Sequence, residues 1–136
     1  MAAQGNPSYG IFARIDTPYE QAIEKITAAL KDEGFGVLTE IDVKKTLKEK
    51  IGKDFRRYVI LGACSPNLAS QALETELDIG LLLPCNVIVY EEGDKSVVAA
   101  MDPIVALGIV EKPELQGIAQ EARQRLTRAI QRVKAG

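Results

Sequence analysis

Histidine is missing from all 136 residues, and so is tryptophan. Without histidine there is no Ser-His-Asp triad and no histidine general base, and most zinc sites are excluded. Cysteine is scarce. Cys64 and Cys85 are the only two. Two thiols cannot close a four-ligand structural zinc site in one chain, and their spacing is not that of a CxxC redox motif. A long apolar run is also lacking. The longest covers residues 79–83 and resumes over 87–90, far short of the ~20 residues that span a bilayer. Net charge is only −2, so bulk charge does not draw the protein to polyanions. The opening MAAQGNPSYG has neither the basic nor the apolar region of a signal peptide. Together with thiols that the cytosol keeps reduced, these absences imply a soluble cytoplasmic protein with no membrane-crossing segment. No cofactor motif and no metal-ligand cluster is read from the chain.

What is present is an ordinary globular composition, 46% apolar and 26% charged, in a length that suits one domain over residues 1–136. Tyr9, Ile11, Ala13 and Ile15 alternate as a first strand. Thr17, Pro18 and Glu20 read as N-cap, first helical residue and capping-box partner. The helix they open carries Ala22, Ile23, Ile26, Ala29 and Leu30 on one stripe and stops at Gly34. Phe35, Val37, Thr39 and Ile41 alternate as a second strand, and Asp42 caps a short helix that ends at Gly52. Residues 57–63 are apolar on both faces and predict a central third strand. Ser65 and Pro66 start another helix, with Leu68, Ala69, Ala72, Leu73 and Leu77 turned inward.

Residues 84–91 and 95–101 predict a hairpin around Gly93. An irregular or short helical segment then leads to residue 110. From Pro113 the stripe Leu115, Ile118, Ala122, Leu126, Ala129, Ile130 and Val133 marks a last, long helix. The expected fold is α+β: an antiparallel sheet of about five strands with the first and last helices packed on one face.

The string LGAC-x-P-x-L-A-x-x-A-L from Leu61 to Leu73, then DIGLLLPCNVIVYE from Asp78 to Glu91, then Met101, Asp102 and Pro103, resembles the family called domain of unknown function 302. The resemblance extends from Tyr9 to the last helix. It implies a small homodimeric protein with a fold similar to the TATA-box-binding-protein class, in β-α-β4-α order with extra short helices. It implies no activity, and a shared scaffold does not import DNA binding, because function belongs to a site.

Several groups are candidates for that site, each with an ordinary alternative. Cys64 stands just before a helix start, where free N–H groups and the helix dipole favour a thiolate; small buried cysteines are nonetheless common. Cys85 alternates with Val87 and Val89 and points inward. If the third and fourth strands are antiparallel neighbours, both cysteines lie on one rim of the sheet. If the strands are parallel, the cysteines lie at opposite ends. Ser65 and Asn67 at the helix start can hold an anion or carboxylate, or merely cap. Leu81, Leu82 and Leu83 between Gly80 and Pro84 are too apolar for a solvent-facing loop and are expected in the core, a pocket or a subunit interface.

Asp102 before Pro103 offers a carboxylate or a turn start. Seven basic residues between Lys44 and Arg57 face only Glu49 and Asp54. They read as a solvated helix face, and the few aromatics there argue against nucleic acid. The candidate ligand-binding set is therefore Cys64, Ser65, Asn67, Leu81, Leu83, Cys85 and Asp102. It fits a non-catalytic homodimer that binds a small molecule or a partner. The alternative is a redox or carrier protein working through Cys64.

Overall fold

The computed structural model describes residues 7–135; residues 1–6, within the stretch read for a signal peptide, lie outside them. The elements run β1 Gly10–Ile15, α1 Tyr19–Asp32, β2 Gly36–Asp42, α2 Val43–Ile51, β3 Tyr58–Cys64, α3 Pro66–Thr75, a 3₁₀ turn Leu77–Leu82, β4 Cys85–Glu92, β5 Lys95–Met101, α4 Pro103–Gly108 and α5 Glu114–Ala135. The five strands form one sheet in the order β1-β5-β4-β3-β2, every neighbour antiparallel. This is the α+β architecture expected from the sequence. β2 to β5 make a meander and β1 adds beside β5. The first two strands thus occupy opposite edges, and α1 carries the chain between them. The middle strand is β4; β3 is interior but not central.

Alternation puts Ala13 and Ile15, Val59, Leu61 and Ala63, Val87 and Val89, Val98 and Ala100 on one face of the sheet, in one buried cluster with Ile26 and Leu30 of α1 and Leu126 and Ile130 of α5. Burying each large aliphatic side chain contributes about 1.5–3 kcal/mol. A second, smaller cluster joins Ala72 of α3, Ile79 of the 3₁₀ turn, Leu107 of α4 and Leu115 and Ala119 of α5. Gly34 and Gly52 adopt φ of +84° and +66°, the left-handed conformation in which glycine ends a helix without a Cβ penalty. Asp42 caps α2 as expected, accepting from the Lys45 N–H at 2.9 Å.

Four expectations need correction. Thr17 does not cap α1: the helix starts one residue later, its N-cap position is the extended Pro18, and no side chain caps it. The buried Thr17 instead offers its carbonyl to the Ser96 hydroxyl at 2.7 Å. β2 does not alternate throughout. A bulge between Val37 and Thr39 shifts the register, so Val37 pairs with Ala63 while Thr39 and Ile41 pair with Gly62 and Ile60. One extra residue reverses which side chains face the core, and Ile41 is half exposed on the far face.

Leu73 and Leu77 are not turned inward. α3 ends at Thr75 and the tighter turn that follows aims only Ile79 into the core. For the same reason Leu81 is not buried; it is 88% exposed, with Leu82 and Leu83 partly covered.

Candidate functional site

Strand ends build the most distinctive corner of the molecule. β3 finishes at Cys64, β4 begins at Cys85 and β5 finishes at Met101. Ala63 pairs with Cys85 and Val87 pairs with Ala100. Antiparallel pairing of three adjacent strands therefore brings these three termini to one rim. α3 leaves that rim directly after Cys64, with Ser65 as its N-cap and Pro66 in its first turn. The Ser65 hydroxyl makes no capping bond to the helix, although the residue is buried.

A small cavity opens here, between the main cluster and the second one. Its free volume is about 40 Å³, and Cys64, Ser65, Leu68, Leu83, Cys85 and Met101 are among its lining residues, with Pro103 and Leu107 of α4 and Ile118 of α5 closing it. The wall is almost wholly apolar. Water-sized occupancy needs about 10–15 Å³, so the space suits a few atoms. The Leu83–Pro84 peptide beside it is cis. Both thiols are free and partly buried. Burial, and secondarily the neighbouring Cys64, pushes the Cys85 thiol up to about 11.

Cys64, Ser65, Leu83 and Cys85 thus line one cavity. The other three candidates do not. Asn67 is exposed on the first turn of α3. Leu81 borders a separate groove with Ile79, Ile109 and Val110. Asp102 is buried next to the rim, but its carboxylate is engaged: one oxygen accepts from the Ile104 N–H at 2.9 Å and the other from Arg123 Nε at 3.0 Å. It caps α4 and ties that helix to α5. Sequence reasoning missed Leu68, Met101, Leu107 and Ile118. The antiparallel order that puts the two cysteines on one rim puts the end of β5, and so Met101, there as well.

Two wider grooves flank α4. One, of about 190 Å³, runs along Ile104, Leu107, Glu111 and Leu115; the other, of about 280 Å³, is the Leu81 groove. Neither collects a cysteine. Among the described residues no group of three or more His, Cys, Asp or Glu side chains is placed to hold a metal ion. α2 buries none of its residues. Two of its four lysines are engaged locally, Lys48 with Asp54 at 3.0 Å and Lys44 with the Phe55 carbonyl at 2.8 Å.

The family model for the domain of unknown function DUF302 matches residues 11–133. The chain belongs to the DUF302 family. A solved structure described as an uncharacterized conserved DUF302 protein from Bacillus stearothermophilus is 33% identical, with a TM-score of 0.86, over 93% of this chain and 98% of that one. No curated protein matches. The rim motif, from Leu61 through the Leu83–Pro84 turn to Met101, lies wholly inside the DUF302 match. No helix of the described residues is long and apolar enough to cross a membrane.

The raised Cys85 thiol has two measurable results. At pH 8 its thiolate fraction is about one in a thousand, so iodoacetamide is expected to label Cys64 first and Cys85 only on opening of the cavity. Equal labelling rates for the two thiols at pH 8, read by peptide mass spectrometry, would refute this. Stability also responds. The unfolded thiol ionises below the folded one, so the folded state loses stability as pH rises from about 9 to about 11. The stabilisation present below that window and lost across it is about 2–3 kcal/mol. Urea midpoints across those pH values measure it: Cys85→Ala should lack this part of the drop and keep only the part that starts near pH 10 from Tyr19, whose hydroxyl burial pushes up to about 12.

Proposed function

We propose that this DUF302 protein is a cytoplasmic, non-catalytic homodimer that binds a small ligand at the rim cavity. The observation that carries the reading is the convergence of Cys64, Ser65, Leu83 and Cys85 on the lining of one partly open apolar space. The size of that space limits the ligand. Sites for drug-sized molecules run to about 300 Å³ or more, so a space of about 40 Å³ fits an ion or a molecule of a few atoms. The unbridged thiols suit the reducing cytosol. The raised Cys85 thiol argues against Cys85 as a nucleophile, which leaves any thiol chemistry to Cys64.

Support for the homodimer comes from the other face of the sheet. The registers put Phe12, Ile60, Ile88, Tyr58 and Tyr90 on that face. All are partly exposed, and none belongs to either buried cluster. Tyr58 and Tyr90 stack with ring centroids 5.3 Å apart. A broad apolar sheet face without a helix over it is the kind of surface a second copy covers.

Two measurements test the reading. Sedimentation equilibrium should give a dimer, and Ile88→Glu should weaken it by at least about 100-fold by burying a charge at the interface while the circular dichroism melt of the monomer persists. A monomeric wild type would end the dimer proposal. Native mass spectrometry of gently purified protein should find a discrete small adduct, lost in Ala106→Val, which fills the cavity. An adduct that survives Ala106→Val, or no adduct in the wild type, would end the rim proposal.

A further inference from the structure

Ser65 is only 5% exposed and lines the rim cavity, yet its hydroxyl has no hydrogen-bond partner among the described residues. By contrast, the buried Ser96 and Asp102 both place their side chains in hydrogen bonds. Thr127 Oγ1 is the one fully enclosed side-chain oxygen or nitrogen without a partner among the described residues. Ser65 Oγ is therefore not sealed in by protein; it borders free space. The backbone beside it is open too. The first bond of α3 runs from the Ala69 N–H to the Ser65 carbonyl at 2.8 Å. Pro66 has no N–H, and the N–H groups of Asn67 and Leu68 have no acceptor among the described residues. Three donors, the Ser65 hydroxyl and two amides, thus gather at the positive end of a ten-residue helix.

From this arrangement we propose that the rim cavity binds a short-chain monocarboxylate, its carboxylate on the α3 N-terminus and its alkyl tail along the apolar wall. The proposal rests on the reading of the rim as a ligand site and gives that ligand a chemical class.

Both ends of the ligand are selected. Among the described residues no charged side chain lines the cavity, so nothing there repels the head group. The Asp102 carboxylate next to the rim is already held by the Ile104 N–H and Arg123. Cys85 adds no negative charge, because burial keeps it a thiol at neutral pH. Behind the donors, Leu68, Leu83, Leu107 and Ile118 form an apolar wall. A methylene buried against it should tighten binding by about fourfold, a gain that a fully hydrophilic anion lacks. The free volume of about 40 Å³ limits the tail. A water needs about 10–15 Å³, so roughly three heavy atoms fit inside. Pro66 and Asn67 are exposed, which puts the donors at the mouth, where water still screens the carboxylate. Propionate and butyrate match that division.

The test is a titration of isotope-labelled full-length protein with sodium propionate at constant ionic strength, followed by amide NMR. The Asn67 and Leu68 amides are expected to shift saturably. Affinity should rise about fourfold per methylene from acetate to butyrate and fall for octanoate, whose tail outgrows the space. Ser65→Ala should weaken propionate binding by about tenfold. It removes no hydrogen bond within the protein, so the apo melting temperature should hold and the loss reads as loss of a donor. Asn67→Ala keeps its backbone N–H and should bind as the wild type does. No saturable shift at Asn67 and Leu68, equal affinity for acetate and butyrate, equal binding of sulfate, or unchanged affinity in Ser65→Ala would overturn the carboxylate site. If propionate fails to bind but the native adduct still disappears in Ala106→Val, the carboxylate assignment alone falls and the rim reading stands.

Discussion

Leu126→Ala is expected to lower the unfolding free energy by about 3–5 kcal/mol. Leu126 is fully buried at the middle of α5, in one cluster with Ile26 and Leu30 of α1 and Val98 and Ala100 of β5. It lies where both long helices meet the sheet. Removing three carbons there loses their transfer free energy and leaves a cavity that two helices and a sheet cannot easily collapse. A typical domain has only about 5–15 kcal/mol to lose, so the variant should be the least stable single aliphatic truncation in α5. Val105→Ala is the contrast: Val105 is partly exposed on α4 and should change stability by under about 1 kcal/mol. Urea denaturation of both proteins is the measurement. A Leu126→Ala midpoint within error of Val105→Ala would mean that α5 is not the element clamping the sheet.

That stripe on α5 was readable from sequence because a five-turn helix repeats its pattern often enough to define a face. The same holds for the hairpin around Gly93 and for the capped α2. The misreadings fall where a pattern is too short or is broken by one residue. Thr39 and Ile41 follow the alternation set by Phe35 and Val37, but a bulge at Leu38 reverses them, and nothing in a seven-residue strand announces a bulge. Leu77 reads as inward only if the α-helical period continues, and of the places open to Leu81 (core, pocket or subunit interface) its exposure removes the core. The 3₁₀ turn changes the angle per residue and aims Ile79 alone at the core. For the site, the sequence left two strand arrangements open, and the conditional argument was the useful part: antiparallel neighbours bring Cys64 and Cys85 to one rim, and the strands are antiparallel neighbours. Met101 was missed because it depends on a third strand's register, which cysteine spacing does not encode. Asp102 was noticed for its chemistry, and only the tertiary structure identifies Arg123 as its partner.

Asp102→Ala is expected to destabilise the protein by about 2–4 kcal/mol, the sum of a lost helix cap and a lost charge-assisted hydrogen bond. One carboxylate oxygen holds the Ile104 N–H and the other holds Arg123 Nε, while the backbone N–H of Asp102 donates to the Tyr9 carbonyl at 2.8 Å. The carboxylate side chain is 10% exposed and Arg123 about half exposed. Arg123 can therefore rehydrate when its partner goes, which keeps the cost below that of orphaning a fully buried charge. Asp102→Asn should recover about half the loss, because the amide oxygen still caps α4 while the ion pair is gone. The effect should also be local. α4 supplies Pro103, Ala106 and Leu107 to the rim cavity, so loosening its start opens the wall in front of Cys85. Cys85 in Asp102→Ala should then alkylate faster than in the wild type at a denaturant-free pH 8, and amide exchange should rise over residues 103–110 more than in α5. Wild-type labelling of Cys85 in a measurably destabilised Asp102→Ala would separate the two roles: Asp102 would then hold α5 to α4 without guarding the cavity.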